Sequence, residues 1–109
     1  MYGHSIGENK IKEILIENGI KFKTEYTFSE LPNRRYDFAL LNENNEVIQL
    51  IEFDGEQHYI ETSFFKTTLK EQQEIDKEKT MFAKNKNIKL VRVPYWKRNT
   101  LNLQDLEIN

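Results

Sequence analysis

The chain has 109 residues, 38% apolar and 31% charged, with a formal net charge of -2. That length suits one domain spanning residues 1–109, whose core can bury about two-thirds of the unfolded surface without staples. The absence of cysteine excludes a disulfide framework and a thiolate metal site, and no apolar run approaches the roughly 18 residues of a membrane span. With no signal-peptide pattern either, the expected setting is a reducing, cytoplasmic one with no membrane partner.

Charge is unevenly spread. Residues 79–104 carry Lys79, Lys84, Lys86, Lys89, Arg92, Lys97 and Arg98 and no acid, whereas the first 78 residues are predominantly acidic. A basic end on an acidic protein suggests a polyanion held near carboxylates, against the plainer reading of a solvated charged surface.

Ser5-Ile6-Gly7-Glu8 reads as a capping box, opening a helix with Ile11, Ile14 and Leu15 as its apolar stripe and Gly19 as its stop. Glu8 falls on the core-facing side of that helix, although closing the capping box would suffice to explain it. Ile20 to Phe28 alternates apolar and polar residues as a half-buried strand does. Leu31-Pro32-Asn33 breaks it, and Arg34-Arg35 precede a second strand, Tyr36 to Leu41. A polar turn over residues 42–46 leads to a third, Val47 to Asp54, so these two form an antiparallel hairpin.

The register of that hairpin decides where Asp37 points. Pairing Asn42 with Val47 puts Asp37 opposite Glu52 on one face; pairing Leu41 with Val47 sends it to the other face. The turn residues leave both open.

The third strand ends in the most unusual stretch of the chain, Ile51-Glu52-Phe53-Asp54-Gly55-Glu56-Gln57-His58. Unpaired carboxylates are costly to bury, yet Glu52 and Asp54 close the most apolar run and project from one strand face. After a loop with the aromatics Phe64 and Phe65, Thr68-Leu69-Lys70-Glu71 is a second capping box. It opens a helix to about Lys84, with Ile75 and Phe82 as its stripe and Asp76 beside it. Ile88 to Val93 is a strand stopped by Pro94, able to run parallel to the third strand through the helical crossover. Leu101, Leu103, Leu106 and Ile108 suggest a short terminal element on the core. The order helix, three strands, helix, strand predicts an α/β fold around a mixed central sheet.

Glu8, Asp37, the Glu52–Asp54 pair, His58 and Asp76 therefore come from separate elements. Hard oxygen donors suit Mg²⁺, with Mn²⁺ able to substitute, and such a cation stabilises charge on a phosphodiester and activates water. A histidine can take the proton from that water, and Asp76 on its other ring nitrogen would fix the tautomer. Each residue also has a plainer role. Asp37 could start a strand or accept from Arg34 or Arg35; Asp54-Gly55 is a common turn; His58 could be structural; Asp76 could pair with Lys79 or Thr80.

Tyr36-Asp37-Phe38, the Glu52–His58 run, Asp76-Lys77-Glu78-Lys79 and Leu90-Val91-Arg92-Val93 together resemble the very short patch repair endonucleases, a branch of the PD-(D/E)xK nuclease superfamily. The chain looks most like the phage homing endonucleases with an EDxHD core, over Glu8 to about Trp96. The resemblance implies a three-layer restriction-endonuclease-like core and a Mg²⁺-dependent DNA endonuclease acting on double-stranded DNA inside a phage-infected or bacterial cell. It puts Glu8, Asp37, His58 and Asp76 in the catalytic positions. Asp37 is then the principal metal ligand, the Phe53 backbone carbonyl a second, and Glu52 or Asp54 further candidates. Asp54 stands where the superfamily has its lysine, so lysine-assisted water activation is not expected there. Lys79 on the helix is a conceivable replacement that is not assigned the role. Zinc is not expected, because the chain has no cysteine and only His4 and His58. Arg34, Arg35, Lys97 and Arg98 are candidates for DNA-backbone contact, and a dimer partner or separate recognition domain is a further expectation. Two other readings remain: a nuclease-fold binding or interaction module without catalysis, and a metal hydrolase of small phosphate esters.

Overall fold

A computed structural model describes residues 6–61 and 67–108. The Ser5 cap, His4 and the Phe64–Phe65 pair lie outside the described residues. Helix α1 spans Ile6–Glu17, strands β1, β2 and β3 span Phe22–Tyr26, Tyr36–Leu41 and Val47–Asp54, helix α2 spans Leu69–Asn85, and strand β4 spans Lys89–Pro94. The sheet order is β1-β2-β3-β4. The first three strands are antiparallel, and β3 and β4 run parallel.

Helix α1 buries Ile11, Ile14 and Leu15. Its end is a paired closure: Ile20 N–H donates to the Leu15 carbonyl and Gly19 N–H to that of Ile16, with Gly19 at φ 64°. That left-handed turn favours glycine and satisfies two terminal carbonyls. It also takes Ile20 out of the strand, so β1 begins at Phe22 rather than Ile20. β1 ends at Tyr26 rather than Phe28, beyond a positive φ of 50° at Glu25. Gly7 is buried where α1 meets the sheet, and a methyl group there would lie 2.2 Å from the Phe53 ring.

The core has two halves. One joins α1 to Phe38, Leu40, Ile51, Phe53, Val91 and Val93, with Leu101 and Leu106 closing it. The other joins Phe28, Tyr36, Ala39 and Leu50 to Ala83 of α2. The architecture is thus helix, mixed sheet, helix, as the element order anticipates. A short 3-10 turn over Leu103–Leu106 supplies the terminal packing, tied by the buried Gln49 side chain donating to the Leu106 carbonyl at 2.7 Å. Leu103 itself is exposed.

Helix α2 starts at the capping box read from the sequence. Glu71 N–H donates to Thr68 Oγ1, and Thr68 N–H to the Glu71 carboxylate. Its buried face differs from the expected stripe. Ile75 and Phe82 are only half-buried and Met81 is exposed, while Lys79 and Ala83 are buried. The reason lies beneath the helix, where Glu52 and Asp54 are buried and a cation serves better than an alkyl group. Among the described residues no helix is long and apolar enough to cross a membrane.

Candidate functional site

The hairpin register resolves through a bulge. Leu41 pairs with Val47, but Leu40 pairs with Gln49, leaving Ile48 as an extra residue. One inserted residue shifts every later pair by one, so Ala39 meets Leu50 and Phe38 meets Ile51. Continuing that register sets Asp37 opposite Glu52 on the α2 side of the sheet. The two pairings left open by the sequence therefore coexist, one at each end of the hairpin.

At Asp37 side chains replace part of the backbone ladder. Asp37 N–H donates to Glu52 Oε2 at 2.7 Å, and Phe53 N–H donates to Asp37 Oδ2 at 2.7 Å. The other Glu52 oxygen accepts from Lys79 Nζ, and both of these side chains are buried. Lys79 lies 5.0 Å from the centre of the Tyr36 ring, whose hydroxyl donates to the Lys79 carbonyl at 2.8 Å. Burial, with the Glu52 charge second, pushes the Tyr36 hydroxyl up to about 12.

Among the described residues Asp37 is the most perturbed group. Burial pushes its carboxyl up to about 8, and the charges of Glu52 and Glu8 add to this. The Phe53 amide and Lys79 act in the opposite sense but do not offset it. A carboxyl crowded by two others, with one lysine as counterion, is a place where a bound cation is favoured. Glu8 and Asp37 line the same cleft, of about 560 Å³, together with Asn33, Arg34, Arg35 and Lys79. Arg34 is paired with Glu78 and Arg35 with Glu25, at 2.7 and 2.8 Å on the cleft rim.

A second cluster adjoins the first. His58 Nδ1 lies 2.7 Å from Asp76 Oδ2 and 3.6 Å from Asp54 Oδ1. Arg92 Nη1 donates to Asp54 at 3.0 Å, and Nη2 donates to the Asp76 carbonyl at 3.0 Å. Gln72 donates to the other Asp76 oxygen at 3.0 Å. Burial raises the Asp54 carboxyl, and Arg92 and His58 act against it. The two clusters are one strand step and one helix turn apart: Glu52 and Asp54 alternate on β3, and Asp76 and Lys79 are neighbours on α2. Those spacings amount to about 7 Å along a strand and about 4.5 Å along a helix.

No protein-family model, curated protein or solved structure matches this chain.

The expected residues thus divide. Glu8 and Asp37 share the cleft, while His58, Asp76 and Asp54 form the neighbouring cluster. Glu52 and Asp54, the further candidates for metal ligation, hold Lys79 and Arg92, because carboxylates under a helix require positive partners. Phe53, whose carbonyl is the expected metal contributor, is tied to Asp37 through its N–H. Lys97 and Arg98 do not line the cleft. Lys97 pairs with Asp105 at 3.2 Å, and Arg98 donates to the Tyr95 carbonyl at 3.1 Å. Lys79 and Arg92 are the functional candidates that the sequence motifs leave unassigned. A signal for each exists: Lys79 follows Asp76 by three on a helix, and Arg92 interrupts the apolar run Leu90-Val91-Arg92-Val93.

Among the described residues no group of three or more histidine, cysteine, aspartate or glutamate side chains is arranged to hold a metal ion. Mg²⁺ asks less, being held by one or two carboxylates with water filling the remaining positions. Asp37 with Glu8 meets that requirement in donor chemistry.

Proposed function

We propose that this chain is a metal-dependent DNA endonuclease domain, similar to the EDxHD phage homing endonucleases and built on their restriction-endonuclease-like core. The observation that carries the reading is the Asp37–Glu52–Lys79 constellation, an acid from each of two neighbouring strands and a lysine from the helix above, opening on a cleft with Glu8. Buried structural ion pairs need no second acid left crowded beside them, so Asp37 is the part that a purely structural account does not explain.

Asp37 and Glu8 are the residues that would hold Mg²⁺ or Mn²⁺. Bound there, the cation would neutralise charge on the phosphodiester and acidify a water. Lys79 fixes Glu52 and brings positive charge to the cleft wall. Asp76 takes the Nδ1 proton of His58 in a hydrogen bond, which leaves Nε2 as the acceptor for a proton from water. Arg92 fixes both Asp54 and the α2 backbone at Asp76, and so holds the histidine and its partner in register. Arg34 and Arg35, on the rim, exchange their glutamate partners for phosphates of double-stranded DNA inside the cell. A second subunit or separate recognition domain supplies the sequence preference.

The test is cleavage of supercoiled plasmid with Mg²⁺ by the parent, Asp37→Ala and His58→Ala. Loss in both is expected, by a factor of roughly 10² or more for the histidine. Full activity in both would remove the assignment. One observation favours a binding module instead: both Glu52 oxygens and Asp54 are already engaged. Retained DNA binding with no Mg²⁺-dependent cleavage would select that reading.

A further inference from the structure

The carboxyl ends of the parallel strands β3 and β4 lie side by side, with Asp54 paired to Pro94. Beyond them the chain makes two adjacent 3-10 turns, Glu56–His58 and Tyr95–Lys97. Pairing of the strands therefore brings together three aromatic rings from distant parts of the sequence. Tyr59 lies 5.0 Å from Trp96 and 5.8 Å from Tyr95, and Tyr95 lies 5.3 Å from Trp96. The rings meet at 50°, 56° and 78°, so none is stacked face to face on another. Trp96 is 60% exposed and Tyr59 41% exposed. Large aromatic rings left in water at the strand ends of an α/β sheet mark a binding surface.

The surroundings specify the occupant. Arg98 lies over the Tyr95 ring, 6.0 Å from its centre, and Lys97 adjoins Trp96 in sequence. Glu56 and Asp105 are carboxylates that temper this charge, Glu56 sharing a groove with Arg98 and Asp105 pairing with Lys97. Aromatic faces flanked by cations fit a chain of planar rings on an anionic backbone. The cluster also adjoins the second carboxylate cluster, since Tyr59 follows His58 and, after burial, the Asp54 charge raises its hydroxyl.

We propose that Tyr59, Tyr95 and Trp96 form a stacking platform for the unpaired bases of a nucleic-acid strand, with Arg98 and Lys97 receiving its phosphates. The platform lies outside the Asp37 cleft, so a strand stacked on it is positioned next to His58 without occupying the position assigned to the cation. The choice of polymer rests on the nucleic-acid reading above, but the stacking itself does not depend on hydrolysis.

The chain contains one tryptophan, which makes Trp96 its own reporter. In EDTA, a short oligothymidylate is expected to quench Trp96 emission saturably, whereas inorganic polyphosphate and a blunt duplex of the same length are expected to leave it nearly unchanged. Tyr59→Leu is expected to weaken oligothymidylate binding roughly tenfold, and Trp96→Ala, followed by anisotropy of a labelled strand, by at least as much. Tyr59→Phe keeps the ring and loses only the hydroxyl, so it should bind as the parent does. Matched denaturation midpoints establish that each variant is folded. Equal binding by parent, Tyr59→Leu and Trp96→Ala would overturn the proposal. So would quenching by polyphosphate equal to that by the oligonucleotide, or an emission change with protein concentration alone, which would mark a contact between copies of the chain. Plasmid cleavage by the parent is read separately, so failure of the platform and failure of the nuclease reading give different results.

Discussion

Replacing Asp37 with asparagine should make the protein more stable, and increasingly so as pH rises. The amide of the Asp37→Asn variant retains the acceptor for Phe53 N–H but carries no charge toward Glu52 and Glu8. In the parent, the Asp37 carboxyl is raised from 3.8 to about 8. Between those values the folded protein keeps a proton that the unfolded chain has released. Stability from this group is therefore full below about pH 4 and is lost as pH rises toward 8. At about 1.4 kcal/mol per unit, the parent gives up roughly 1 kcal/mol by pH 4.5 and up to about 4 kcal/mol by pH 7. The asparagine variant gives up neither. Urea denaturation of parent and variant at several pH values in EDTA reads the difference directly. It should grow with pH and level off near pH 8. Saturating Mg²⁺ should stabilise the parent and leave the variant unchanged, by about 2.7 kcal/mol at a concentration 100 times the dissociation constant. A stability difference independent of pH, or one favouring the parent at pH 8, would refute the claim that Asp37 is crowded.

The same geometry sets three further outcomes. Lys79→Met should destabilise by about 3–5 kcal/mol because it leaves Glu52 buried and unpaired; adding Glu52→Gln should recover much of that loss, which a double-mutant cycle in urea measures. Tyr36→Phe removes one buried hydrogen bond to the Lys79 carbonyl and should cost about 1 kcal/mol by the same assay. Deleting Ile48 removes the bulge but keeps Leu41 on Val47 and Leu40 on Gln49, so Asp37 stays opposite Glu52 and both cooperative unfolding and the Mg²⁺ response should be retained, while the exposed Ile48→Thr should change stability by no more than about 0.5 kcal/mol.

Much of the fold is legible in local sequence because its signals are local. The Thr68–Glu71 capping box, the left-handed Gly19, the β2 and β3 boundaries and the α1 stripe each depend on residues within a few positions of one another. The ends of β1 are less legible, since Ile20 is drawn into a helix closure and Glu25 takes a positive φ. The buried face of α2 escapes the sequence for a different reason. Hydrophobic periodicity marks Ile75 and Phe82, but it cannot see that the sheet below presents two carboxylates.

The chemistry divides in the same way. Sequence alone determined which residue types are available: acids at 8, 37, 52, 54 and 76, and a histidine at 58 followed by a helix bearing an acid. It could not determine how they combine. A single bulged residue at Ile48 sets whether Asp37 meets Glu52, and bulges arise from the twist and packing of paired strands. Pairing of β3 with β4 brings Arg92 to Asp54 and sets Tyr59 beside Trp96, contacts between residues far apart in the chain. The crossover of α2 lays Lys79 on Glu52 and Asp76 on His58. These are long-range consequences of burial, in which a carboxylate forced under a helix selects its cation only after both have been brought together.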